Sequence, residues 1–114
     1  FGAKPYTDDE QKELSEIVKA FNERHGTEFT EEDMIRFERV NREIMDEDLS
    51  EMMRNNPPDV VYTAFAQAFF QGAIKMFQKD NEMRNIVLTD AEARDKATRH
   101  FFNRALREAR SQDS

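Results

Sequence analysis

The spacing of the apolar residues constrains this chain most. Leu14, Ile17, Val18 and Phe21 fall at i, i+3, i+4 and i+7, the repeat that places four side chains on one face of an α-helix. The period returns in Met34, Phe37 and Val40, with Ile44 and Met45 beside them. It returns in Val61, Phe65, Ala68, Phe69, Gly72 and Met76, and again in Ala93, Ala97, Phe101, Ala105 and Ala109, with Phe102 and Leu106 alongside. No segment shows the two-residue alternation of a half-buried strand. Helix formers dominate and β-branched residues are sparse. With 114 residues there is material for one core. The expected fold is all-α, a single compact bundle of about five or six helices over residues 7–110, with residues 1–6 as a lead-in and 111–114 as a polar tail.

Punctuation sets the helix ends. Thr7-Asp8-Asp9-Glu10 and Thr89-Asp90-Ala91-Glu92 read as capping boxes. Gly26 can take the left-handed conformation that ends a first helix near Arg24. Thr30 opens a second helix with Glu31, Glu32 and Asp33 in its first turn, and Phe29 and Met34 sit at staple positions. Asp46, Glu47 and Asp48 suggest a break before a short helix bearing Leu49, Met52 and Met53. Asn55-Asn56-Pro57-Pro58 reads as a boundary, with Asn56 as cap and Pro57 at the first helical position. The next helix runs from about Pro58 to Lys79. Phe70, Ile74 and Phe77 give it a second apolar face, which predicts a central helix covered on both sides. Gly72 within it predicts a close helix crossing. Residues 81–88 form a short helix or turn, and the last helix runs to about Arg110.

Most catalytic chemistry lacks its residues. There is no cysteine, so disulfides and thiolate metal sites are excluded. Three dispersed glycines make no phosphate loop. His25 and His100 are the only histidines; His25 reads as a helix-end residue and His100 as a partly exposed helix residue. The acids fall opposite the apolar stripes or in caps. No catalytic, cofactor-binding or metal-ligating residue is assigned. No apolar run approaches the ~18 residues of a membrane span, and there is no signal peptide, so a cytoplasmic protein is expected. The opening at Phe1, without a Met, points to a segment of a longer chain.

Charge is the remaining signal. Residues 1–56 carry 8 Lys and Arg against 16 Asp and Glu, whereas residues 57–114 carry 9 against 8. The last helix holds Arg94, Lys96, Arg99, Arg104, Arg107 and Arg110. Such a stripe is either a solvated face or a contact surface for an acidic partner or a phosphate backbone. Arg99, Arg104, Arg107 and Arg110 are the candidate partner-binding residues. Ten Phe and six Met also leave room for an exposed apolar docking patch.

The stretch from Leu14 to Asp33 (LSEIVKAFNERHGTEFTEED) resembles the C-terminal region of the R (HsdR) subunit of type I restriction enzymes. The resemblance continues more loosely through Asn55-Asn56 to Phe77, Asp80-Asn81-Glu82 and Phe101 to Arg110. The chain departs from it at Phe70-Gln71-Gly72, where family members often carry an acid or Arg. The resemblance implies a parent with a nuclease domain and two RecA-like motor domains that translocates DNA using ATP and Mg2+. It implies that this segment is the helical region linked to assembly on the methyltransferase and specificity subunits, with DNA met through the parent complex. The alternatives are a DNA-contacting helical accessory domain and an unrelated bacterial helical adaptor.

Overall fold

The computed structural model describes residues 7–44 and 47–111. The lead-in over residues 1–6, Met45 and Asp46 in the second helix's stripe and break, the side chain of Ile44, and the tail beyond Ser111 lie outside the described residues. Within them the chain forms six helices and no strand: α1 (Asp8–His25), α2 (Glu31–Ile44), α3 (Glu47–Asn55), α4 (Pro58–Met76), α5 (Asn81–Thr89) and α6 (Ala91–Ser111). The all-α bundle expected from the apolar period is what forms. Its radius of gyration is 13.9 Å, close to the roughly 13 Å of a compact chain of this length. Among the described residues no helix is long and apolar enough to cross a membrane.

Local chemistry explains most of the boundaries. Thr7 Oγ1 accepts from the Glu10 amide at 3.1 Å, and Glu10 Oε1 accepts from the Thr7 amide at 2.9 Å. Thr30 and Asp33 repeat this reciprocal pair at 3.0 and 3.1 Å. Two amides otherwise left without helical partners are satisfied at each start. Gly26 ends α1 at φ 64°, in the left-handed region. The loop after it is held by Asn22, which no sequence pattern singled out. Its Oδ1 accepts from the Thr27 hydroxyl and the Phe29 amide, and its Nδ2 donates to the Phe29 carbonyl.

Two caps differ from expectation. Asp90, not Thr89, caps α6: its Oδ1 accepts from the Ala93 amide at 3.1 Å. Thr89 is the last residue of α5 and donates its hydroxyl to the Asn85 carbonyl. Two helices meet there with a single residue between them, so only one side chain can cap. Asn56 likewise does not cap α4. It donates to the Met52 carbonyl and closes α3, and Pro57 takes the cap position with Pro58 as the first helical residue. α4 ends at Met76, three residues before Lys79.

α4 and α6 form the centre. α2 and α3 pack on α4, α1 and α3 pack on α6, and the short α5 sits against both. The buried stripe of α4 is Val61, Phe65, Phe69, Gly72 and Ala73. Its expected second face is only half covered: Phe77 joins the core, while Phe70 is half-buried beneath the Arg94 guanidinium. Phe37 of α2, Phe69 of α4 and Phe101 of α6 meet with ring centroids 4.9 to 6.4 Å apart. Phe65 extends this network to Phe102 at 5.2 Å.

The helix buried over the widest arc is α6. Thr98, His100, Phe101, Phe102, Arg104, Ala105, Glu108 and Ala109 are each 4% exposed or less. The expectation of a partly exposed His100 is therefore corrected. Its Nδ1 lies 2.6 Å from Glu13 Oε1 on α1, which covers it.

Candidate functional site

α6 carries the residues singled out from the sequence, so the site is built from it. α1 lies antiparallel to it, and the charges of the two helices match along their length. Near one end Arg107 donates through Nε and Nη2 to both oxygens of Glu10, at 3.1 and 2.8 Å. At the other end Arg24 Nε lies 3.1 Å and His25 Nε2 2.6 Å from Asp90 Oδ2. Acids belong in first turns and bases in last turns, so antiparallel helices with such ends present opposite charges to each other.

The four candidate arginines occupy different environments. Arg104 is buried, at 3% exposed, between Glu108 at 1% and Glu38 of α2 at 6%. Its Nη1 bonds Glu108 Oε1 and lies 3.6 Å from Glu38 Oε1. Its place on a contact surface is corrected, as is the expectation that the acids avoid the apolar side. The core face of α2 is Phe37, Glu38 and Asn41 rather than Phe37 and Val40. Asn41 donates to the Phe37 carbonyl within its own helix. Helical rotation accounts for Arg104. Steps of eight and three residues keep Arg99, Arg107 and Arg110 within roughly 80° of arc, while Arg104 lies roughly 140° from Arg99.

Arg110 donates to the Met53 and Asn56 carbonyls at 3.4 and 3.2 Å, filling acceptors at the end of α3. Arg94, outside the candidate set, does the same for α5 through the Val87 and Leu88 carbonyls. Arg110 is nonetheless exposed, and Arg99 is open too, its side chain 61% exposed. It bonds Asp95 at 3.3 Å and stacks 4.3 Å from the Tyr62 ring centroid. The Tyr62 hydroxyl donates to Asp95 at 2.7 Å. Burial and this Asp95 contact push its pKa up to about 12. A phosphate backbone would have to displace internal acceptors from these four guanidiniums, which disfavours duplex contact as their role.

Among the described residues no three His, Asp or Glu side chains converge as a metal set. The Glu38–Arg104–Glu108 cluster is a tight ionisable group inside the bundle, which the sequence did not announce. None of the three lines the cavity that opens beside α1. That cavity, of about 120 Å³, lies between α1, α2, α4, α5 and α6. Ile17, Phe21, Phe29, Met34, Phe77 and Val87 are among its apolar walls, and Arg24, Asp33, Asp90, Arg94 and Lys96 are its charged ones. Among the described residues the large apolar side chains left exposed are Met52, Val60 and Leu88, none of them a Phe.

Two carboxyls record the α1–α6 pairing in their acidity. Burial alone would raise Asp90, but the Ala93 amide, His25 and Arg24 outweigh it and hold the carboxyl below the ordinary aspartate value. Burial would also raise Glu10, and the Thr7 amide together with Arg107 lowers it further than burial lifts it. Folded-state values below the unfolded ones mean that the stabilisation is complete above the ordinary carboxylate range of about 4 and is lost as pH falls through the lower values. Urea unfolding at neutral pH and near pH 3 should therefore show a marked acid loss. Asp90→Asn keeps a good cap and should show a smaller one. An unchanged acid loss in this variant would remove Asp90 from the explanation.

No family model, curated protein or solved structure matches this chain.

Proposed function

We propose that this chain is a helical docking region of a type I restriction enzyme R subunit, joining the ATP-dependent translocase and nuclease to the methyltransferase–specificity core in the cytoplasm. In this reading the segment is non-catalytic, and ATP and Mg2+ act elsewhere in the subunit. The observation that carries it is the stretch from Leu14 to Asp33, on which the resemblance rests. These residues make one corner of the molecule: Gly26 turns the chain, Asn22 fixes Thr27 and Phe29, and Thr30 with Asp33 starts α2. Ser15 of α1 also donates to Glu31 of α2 across the corner.

Arg99 is the arginine of the original four best placed to meet a partner, because its contacts are exposed and such pairs are weak. Isothermal titration of this chain against an assembled methyltransferase–specificity complex from the same genome should give saturable binding. Arg99→Glu should weaken it by about tenfold, the scale of one lost interfacial charge contact, with the thermal midpoint unchanged. An absence of binding up to about 100 μM, equivalent to less than ~5.5 kcal/mol, would reject the docking role.

A further inference from the structure

The apolar cavity between α1, α2, α4, α5 and α6 is more than a packing fault. Protein interiors hold few voids larger than a water molecule. This one measures about 120 Å³, near the ~150 Å³ of an apolar cavity that stays dry and takes up benzene. It is far below the roughly 300 Å³ at which pockets for drug-sized ligands and cofactors begin. One six-membered ring or a short alkyl chain fits; a nucleotide does not. Phe21, Phe29, Met34, Phe77, Met83 and Val87 offer such a group carbon and sulfur contacts.

The charged part of the lining is cationic in an acidic protein. Three cations, Arg24, Arg94 and Lys96, stand against two acids, Asp33 and Asp90, while the whole chain has net charge −7. Asp90 is already engaged by the Ala93 amide, Arg24 and His25. Arg24 and Lys96 are both held by one exposed carboxylate, Glu92, at 3.5 and 3.4 Å. The three side chains are 51%, 64% and 63% exposed, so these pairs are weak and exchangeable. Glu92 itself is not part of the cavity wall; it bridges two cations of that wall from the solvent side, and a ligand's carboxylate competes with it for them.

We propose that the cavity is a binding site for a small carboxylic acid with an apolar body of one ring or a short chain. The body sits against Phe21, Phe29 and Met34, and the carboxylate replaces Glu92 between Arg24 and Lys96. This assignment is independent of the docking role.

Met34 and Met83 line the cavity, whereas Met52 lies exposed on α3. Methyl NMR of protein labelled at the methionine methyls therefore reads the site directly, with phenylacetate and toluene as probes. Both should shift the Met34 and Met83 signals saturably and leave Met52 unmoved. At low salt phenylacetate should bind at least about fivefold tighter than toluene, and this advantage should shrink at high salt. Glu92→Gln should tighten phenylacetate about two- to fivefold, the scale of an exposed ion pair, without altering toluene. Ala97→Leu fills the cavity from α6 and should abolish both; Ala93→Leu, one turn earlier, serves if that variant does not fold. The absence of saturable shifts, or shifts that survive the filling substitution, would overturn the site. Equal binding of the two probes would overturn the carboxylate assignment.

Discussion

Arg104→Met should lower the unfolding free energy by about 3–5 kcal/mol, the scale for removing one member of a buried ionic group. Two carboxylates, Glu38 and Glu108, share this guanidinium inside the bundle. Without it the two buried carboxylates lose this shared positive charge and repel each other. A domain of this size has roughly 5–15 kcal/mol of net stability, so the variant should be marginal at 25 °C. Replacing Glu38, Arg104 and Glu108 together by Met should recover most of the loss, because a buried ionic group exchanged for apolar residues of similar volume is often neutral or better. Urea unfolding followed by far-ultraviolet circular dichroism measures both. A loss below about 1 kcal/mol for Arg104→Met, typical of an exposed pair, would mean the guanidinium is not the counter-charge. The same burial makes charge reversal at Arg104 useless as a probe of docking, since it would act on the fold first.

Phe101→Ala should lower stability by about 3–5 kcal/mol, as expected for an aromatic side chain lost from a packed core. Phe101 is 2% exposed. It meets Phe69 of α4 and Phe37 of α2 at centroid distances of 5.6 and 6.4 Å, so truncation opens the junction of three helices at once. Leu88→Ala, on the exposed side of α5, should change stability by no more than about 0.5 kcal/mol. Similar losses in the two variants would refute a core centred on the α2–α4–α6 junction.

The bundle itself was legible because each helix carries its own signals. The stripes of α1 and α4, the capping box at Thr7 and the left-handed Gly26 depend on neighbours within a turn or two. The two misplaced caps show the limit of that reading. Thr89 and Asn56 have good capping chemistry, but each lies at the end of one helix just before another, and a side chain serves one end at a time. The candidate arginines were less legible. Sequence shows that α6 is basic, but not which guanidiniums face α1, α2 or α3. The excess of acid in residues 1–56 and the five-residue step from Arg99 to Arg104 were the available signals. Both become informative only once α6 is known to be enclosed.

By itself, then, the sequence determined the helices, most of their ends and the main apolar stripes of α1, α4 and α6. It did so because helix periodicity and capping are short-range physics. Only the tertiary structure decided that a strongly charged helix lies at the centre, with Arg104, Glu108 and His100 inside, and that a small cavity opens beside α1. Burial of a charge depends on what the rest of the chain brings to meet it. Glu38 is 66 residues from Arg104 and Glu13 is 87 from His100, separations at which no local pattern carries information.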